Sequence, residues 1–221
     1  MELNRTVLDK ANKHTESAEN RLKFTDYKPV NQHAASELFA GLQERNKTID
    51  PKFLYDQQGS KLFDQITSLP EYYPTRTELC ILKRYQHQIA ECIGQHTVLF
   101  EPGSGSSEKV RHLLAALQPR LYVPLDISAD FLLSAAQKLI EETPWLEVHA
   151  ICADFSDTFR LPADIPATKR VAFYPGSTIG NFHPQQAKQF LIRLRHLLGP
   201  ECGLLIGVDL QKDQDILHAA Y

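Results

Sequence analysis

The chain has 221 residues, of which 43% are hydrophobic and 23% are charged, which is typical of one large folded domain or a domain with an added lobe. Its net charge of -3 excludes the broad basic surface that non-specific nucleic-acid binding requires. No apolar run reaches the roughly 18 residues of a membrane span, and the first 24 residues lack the apolar core of a signal peptide, so we expect a cytoplasmic protein.

Cysteine and histidine spacing gives no sign of a metal site. The chain contains four cysteines without CxxC spacing, and its nine histidines form no HExxH arrangement. A metal centre needs clustered ligands, so we expect free thiols and no bound metal.

The first part of the chain is predicted to be mainly helical. Residues 1–24 are polar and are interpreted as an arm or a surface helix. Apolar residues at helical spacing predict a helix over residues 34–44 and a long helix over residues 75–93. The stretch between them begins at Asp50 and opens with many turn-forming residues.

After Gly94 the pattern changes to short apolar strands that alternate with helices. The predicted strands cover residues 97–100, 121–125, 148–152, 170–174 and 203–208. The predicted helices cover residues 107–117, 129–142 and 184–198. This alternation predicts a parallel, doubly wound α/β sheet with flanking helices over residues 95–221, preceded by an N-terminal helical segment over residues 1–94.

A glycine turn and two acidic residues follow the first three core strands. Gly103 and Gly105 stand between a strand and a helix, where glycines allow a ligand to approach the backbone. Asp126 ends the next strand about twenty residues later, the spacing at which a carboxylate meets ribose hydroxyls. Asp154 and Phe155 end the third strand, where an acid and an aromatic ring suit an adenine base.

Each feature also has a purely structural explanation. The glycines fit an ordinary strand-to-helix turn, and Asp126 fits the N-cap of the following helix, although Ser128 suits that role better. Asp154 fits a turn at a strand end. Because all three features fall at the carboxyl ends of successive strands, where open α/β sheets bind ligands, the sequence favours a nucleoside site.

The charge of the turn favours S-adenosylmethionine over a dinucleotide. A dinucleotide fingerprint needs a third glycine where this chain has Glu108, and that carboxylate would repel a pyrophosphate. S-adenosylmethionine has no phosphate and carries positive groups, which tolerate neighbouring carboxylates such as Glu101. A nicotinamide-dependent oxidoreductase is the disfavoured alternative.

Six segments in order resemble the L-histidine Nα-methyltransferases of ergothioneine biosynthesis. They are YDQQGSKLFDQITSLPEYYPTRTE, EPGSGSSEKVR, YVPLDIS, CADF, FYPGSTIGNFHP and GVDLQKD, and they extend the resemblance over roughly residues 51–221. The resemblance implies a class I methyltransferase (Rossmann-like) fold. It also implies an enzyme that transfers methyl groups from S-adenosyl-L-methionine to the α-amine of L-histidine.

The resemblance also implies a role for individual residues. Cofactor contacts are expected from Gly103, Lys109, Asp126, Asp154 and Phe155. Substrate contacts are expected from Tyr72, Asn181 and Tyr221, and a position near the transferred methyl group, counted as catalytic, is expected for Tyr55. Tyr72 and Tyr73 also fit a hydrophobic staple beside Pro74.

The chain departs from the family pattern in places. Pro102 replaces a usual leucine before the glycine turn, which removes a backbone N–H, and Tyr174-Pro175 replaces FLG before the substrate segment. The family continues with two further strands and a substrate lobe, so we expect the final strands to be missing here. Either the chain is a fragment, or a second chain supplies the remainder. The alternative function is a catalytically incompetent remnant that binds only cofactor or a partner chain.

Overall fold

The computed structural model describes residues 21–27, 34–54, 57–154 and 159–220. The six strands of the described residues are β1 (Leu22–Asp26), β2 (Val98–Pro102), β3 (Leu121–Asp126), β4 (Val148–Cys152), β5 (Arg170–Tyr174) and β6 (Gly203–Ile206). The α-helices there are α1 (Ala34–Gln43), α2 (Gln57–Thr67), α3 (Tyr73–Ile93), α4 (Arg111–Leu117), α5 (Ala129–Glu142), α6 (Pro184–Leu198) and α7 (Gln214–Ala220). Short 3-10 helices cover Pro51–Leu54 and Thr178–Asn181.

All six strands form a single parallel sheet in the order β1-β4-β3-β2-β5-β6. The chain moves outward from β2 through β3 to β4, and then returns to the other side of β2 to place β5 and β6. The direction of winding therefore reverses between β2 and β5. Open α/β sheets bind ligands at the carboxyl ends of the strands beside such a switch point.

Helices cover both faces of the sheet, which explains why the central strands are apolar throughout. On one face, a buried cluster against the sheet contains Leu82 of α3, Leu113 of α4 and Leu132 of α5. On the other face, Phe190 and Leu194 of α6 pack in a second buried cluster with residues of β2 to β5. The two clusters fix the strand ends that carry the polar residues described below.

The predicted α/β architecture is confirmed, with helix and strand bounds that differ by a few residues. One difference bears on the site: the helix expected from Ser107 begins only at Arg111, because residues 103–107 form an irregular turn. The division of the chain at residue 94 stays a prediction.

One prediction for the N-terminal part is wrong. Residues 22–24, interpreted as arm or surface helix, lie in strand β1, which pairs with β4. The stretch after Asp50, which opens with many turn-forming residues, contains helix α2, which begins at Gln57. Its glycine and serine lie in the first turn, where helices tolerate such residues.

Candidate active site

The turn between β2 and α4 has an unusual backbone. Gly103, Gly105 and Ser107 all have positive φ, of 67°, 52° and 54°. Glycine adopts this conformation without a steric penalty, but serine does not. The N–H groups of Gly103 and Ser104 donate to the carbonyl of Leu125 in β3, at 2.8 and 3.1 Å. We call residues 103–107 the glycine turn.

Asp126, at the end of β3, faces the glycine turn. Its Oδ2 accepts a hydrogen bond of 3.0 Å from the N–H of Gly105, and its Oδ1 accepts one of 3.1 Å from the N–H of Ser128. Burial raises the pKa of Asp126, while the backbone N–H groups of Ser128 and Gly105 oppose the rise. The carboxylate therefore contacts the backbone of both the glycine turn and the segment before α5, while Ser128 occupies the N-cap position. Its contact with ribose hydroxyls stays a prediction.

Asp154 lies beside Asp126 at the same edge of the sheet. Asp126 is in register with Cys152, and the carbonyl of Asp126 accepts a 3.0 Å hydrogen bond from the N–H of Ala153. Asp154 is the next residue. The predicted convergence of Gly103, Asp126 and Asp154 at the carboxyl ends of adjacent strands is therefore present, whereas their contact with a cofactor stays a prediction.

A buried carboxyl group lies beneath the glycine turn. Glu101 in β2 is 2% exposed and accepts a hydrogen bond from the hydroxyl of Tyr122, which also lies 3.0 Å from the hydroxyl of Ser107. Burial raises the pKa of Glu101 to about 8, although the hydrogen bond from Tyr122 and the charge of Lys109 act in the opposite direction. Glu101 is therefore mostly protonated at neutral pH.

Ser104 provides a polar atom that is not otherwise used. Its side-chain oxygen is buried, and it has no hydrogen-bond partner within the described ranges. Buried hydroxyl groups are normally hydrogen-bonded. The position of Ser104 between the two glycines of the turn marks a place where a bound ligand can supply the missing partner.

Lys109 follows the glycine turn and pairs with a residue that the sequence patterns do not single out. Its Nζ lies 2.6 Å from Oε2 of Glu78, which projects from α3. Both oxygens of Glu78 also lie 2.9 Å from the N–H of Gly176, just beyond β5. Lys109, predicted as a cofactor contact, is thus placed in an ion pair at the edge of the site.

The segment after β5 carries another predicted residue. Residues 175–181, called here the substrate loop after the role predicted for Asn181, contain Gly176 and Ser177 at positive φ and end in the 3-10 helix whose last residue is Asn181. The hydroxyl of Ser177 accepts a 2.9 Å hydrogen bond from the N–H of Asp209, which follows β6. The Asn181 side chain is exposed at the end of this anchored loop.

Two tyrosines precede and begin α3. Tyr72 is buried and makes an edge-to-face contact with Phe63 of α2, at 6.0 Å between ring centroids. Tyr73 donates a hydrogen bond to Asp209, and Lys212 lies 4.8 Å from the centre of its ring. The contact between Tyr72 and Phe63 fits the packing role considered for this pair, and a substrate role for Tyr72 stays a prediction.

Three predicted site residues, Tyr55, Phe155 and Tyr221, lie outside the described residues. Sequence patterns also missed Glu78 and Tyr122. Glu78 ends a segment that carries the family resemblance, which was the only signal for it. Tyr122 gave the signal of an ordinary buried strand residue.

The described ranges contain no group of three or more histidine, cysteine or acidic side chains that could hold a metal ion. None of their helices combines the length and the apolar character of a membrane span.

Comparison with known proteins identifies one family. The profile described as "Histidine-specific methyltransferase, SAM-dependent" matches residues 34–221. Histidine N-alpha-methyltransferase of Mycobacterium tuberculosis is 42% identical over 190 residues, which cover 84% of this chain and 58% of that protein. Ergothioneine biosynthesis protein 1 of Neurospora crassa is 33% identical over 178 residues, which cover 76% of this chain and 20% of that protein.

A solved structure shares the fold. Magnesium protoporphyrin IX methyltransferase from Synechocystis, crystallised with S-adenosylmethionine, matches with a TM-score of 0.52 and 13% identity over 78% of this chain and 84% of that one. The chain spans little more than half the length of the mycobacterial relative.

Proposed function

Because the chain belongs to the family of histidine-specific, S-adenosylmethionine-dependent methyltransferases, we propose that it transfers methyl groups from S-adenosyl-L-methionine to the α-amine of L-histidine. The names of the relatives support histidine as the methyl acceptor and ergothioneine biosynthesis as the use of the product. The observation that carries the proposal is the placement of the Asp126 carboxylate against the N–H of Gly105, with Asp154 beside it.

The polar groups around the glycine turn fit this cofactor. Asp126 offers carboxylate oxygens that suit vicinal hydroxyls, because charge-assisted hydrogen bonds are strong. Ser104 offers a buried hydroxyl that lacks a partner among the described residues. Lys109, the cation that follows the turn, is already paired with Glu78, so it does not create the positive site that a pyrophosphate needs.

We assign cofactor binding to Gly103, Lys109, Asp126, Asp154 and Phe155, as the family pattern implies. The bound cofactor supplies a methyl group on a positively charged sulfur, which an amine lone pair can accept. Glu101 beneath the turn is mostly neutral at pH 7, so it adds little negative charge to the pocket. Its ionisation would add an attractive charge for a cationic ligand at higher pH.

The acceptor amine must release its proton to solvent before transfer, and the proposed substrate residues then hold the neutral amine. The amide of Asn181 can donate to a carboxylate and accept from an amine, and the phenol of Tyr72 can hold an amine without charging it. Removal of the amine from water favours its neutral form. We assign Tyr221 to substrate binding and place Tyr55 near the transferred methyl group on the family pattern.

Calorimetry tests the cofactor part of the proposal. S-adenosylhomocysteine should bind the folded chain, and Asp126→Asn should weaken binding by at least about tenfold because a charge-assisted hydrogen bond is lost. The matched control is Asp130→Asn, an exposed carboxylate in the first turn of α5, which should leave the affinity unchanged. A folded wild-type protein that gives no binding heat would contradict the proposal.

Mass spectrometry tests the reaction itself. Incubation with S-adenosylmethionine and histidine should produce methylated histidines. One, two or three added methyl groups make them heavier by about 14, 28 or 42 mass units. Cofactor binding without any methylated histidine would instead support the alternative, a catalytically incompetent chain that binds only cofactor.

We further propose that additional polypeptide, in a longer form of this protein or in a second chain, packs beside β6. Leu210 is 73% exposed, and Leu204 and Val208 are exposed nearby. Exposed apolar groups in one region favour association. A separately expressed polypeptide that corresponds to the remaining length of the relatives should raise histidine turnover, and no copurification and no rise in turnover would contradict this.

A cytoplasmic location is part of the same proposal. All four cysteines, Cys80, Cys92, Cys152 and Cys202, are free. Free thiols are typical of reducing compartments.

A further inference from the structure

We propose that Glu78 is a positioning residue that couples the glycine turn to the substrate loop, so that cofactor and amine substrate strengthen each other's binding. The inference rests on the proposed function. It assigns a role to a residue of α3 that lies outside the glycine turn and outside the predicted cofactor-binding residues. Glu78 acts through its neighbours and not on the reacting atoms.

The contacts of the Glu78 carboxylate join three distant parts of the chain. Lys109, which follows the glycine turn, lies 2.6 Å from Oε2. The N–H of Gly176, in the substrate loop, lies 2.9 Å from both oxygens. The side chains of Glu78 and Lys109 are 16% and 21% exposed, so water screens the pair only weakly.

Two glycines leave room for this pair. A Cβ atom on Gly207, just beyond β6, would lie 1.8 Å from Oε1 of Glu78. A Cβ atom on Gly176 would lie 2.9 Å from Nζ of Lys109, and Gly176 also has a φ of 83°. The carboxylate and the ammonium group therefore occupy space that any other residue at these two positions would fill.

This packing gives a physical route for coupling. A partly buried carboxylate that loses one partner leaves a charge underpaired, so Lys109 and Gly176 are held in place together. When a cofactor orders the glycine turn, Lys109 is fixed, and through Glu78 the backbone of Gly176 is fixed as well. The second ligand then finds a loop that is already ordered, which is a source of positive cooperativity.

Hydrogen exchange with S-adenosylhomocysteine tests the link with the cofactor alone. In the wild-type chain, saturating ligand should slow exchange in the peptide that covers residues 175–181 by about fivefold or more. Glu78→Gln keeps an oxygen for Gly176 but loses the charge that holds Lys109, and it should reduce this protection to less than about twofold. Glu91→Gln, an exposed residue of α3, is the matched control and should behave as wild type.

Calorimetry then measures the coupling directly. S-adenosylhomocysteine should tighten histidine binding by about fivefold or more in wild type and in Glu91→Gln, and by less than about twofold in Glu78→Gln. Glu78→Asp keeps the charge but retracts it by one methylene group, so it should show the same loss of coupling. It replaces Glu78→Gln in the experiment if that variant fails to fold. A purely structural role would lower stability but leave the coupling factor unchanged.

The outcomes separate this inference from the proposed function. Wild-type protein that binds neither ligand would overturn both. Wild-type protein that binds both ligands without coupling, or a folded Glu78→Gln variant with undiminished coupling and loop protection, would overturn the role of Glu78 and leave the proposed function intact.

Discussion

Glu101→Gln should change how the stability of the folded chain depends on pH. Burial raises the pKa of Glu101 from 4.5 to about 8, so between these values the folded protein holds a proton that the unfolded chain has released. The corresponding stability is fully present below pH 4.5 and is lost as pH rises toward 8. Glutamine stays neutral, accepts the same hydrogen bond from Tyr122, and removes this dependence.

The size of the effect follows from the pKa shift. One proton contributes about 1.4 kcal/mol per pH unit, so two pH units change the free energy of unfolding by about 3 kcal/mol. The stability of Glu101→Gln relative to wild type should therefore rise by about 3 kcal/mol from pH 5.5 to pH 7.5. This is a large part of the roughly 5–15 kcal/mol that stabilises a typical domain.

Urea unfolding, followed by circular dichroism at pH 5.5, 6.5 and 7.5, measures the difference at each pH. Glu108→Gln is the matched control, because Glu108 follows the same turn but its side chain is 62% exposed, so this variant removes a carboxyl group from the surface and not from the core. If the difference between Glu101→Gln and wild type stays constant over these two pH units, Glu101 is not a buried, protonated carboxyl group.

Three further predictions concern single residues. Tyr122→Phe removes the hydroxyl that joins the buried carboxyl group to the glycine turn, and it should lower the free energy of unfolding by about 1–3 kcal/mol in urea titrations. Gly207→Ala places a methyl group against Glu78 and should destabilise the fold by about 1–3 kcal/mol, whereas an unchanged melting temperature would show that the carboxylate moves freely. Burial raises the pKa of Cys152 to about 12, so iodoacetamide at pH 8 should alkylate it far more slowly than the exposed Cys80, as peptide mass spectrometry would show.

The sequence was sufficient to predict the strands that consist mainly of apolar residues. β2 and β4 are buried along their whole length, and their apolar runs between turn signals predicted them closely. β1 has mixed polarity and contains no fully buried residue, so its stability depends on pairing with β4. Local patterns carry no information about a partner that distant.

The same limit applies to the site. Asp126 and the glycine turn were predictable because each stands at a strand end within one βαβ unit, where spacing is regular. Glu78 was not, because its partners are Lys109, which follows the glycine turn, and Gly176 of the substrate loop, and only the folded sheet brings them to α3. The raised pKa of Glu101 likewise depends on burial by surrounding elements.

The pairing of β1 with β4 also constrains the order of events during synthesis. Thr25 of β1 and His149 of β4, joined by a 2.8 Å hydrogen bond, are separated by 124 residues. At roughly 5–20 residues per second, a ribosome needs roughly 6–25 s to make that span. The amino-terminal strand therefore waits in the nascent chain while β2 and β3 emerge, and it is the last of the first four strands that can join the sheet.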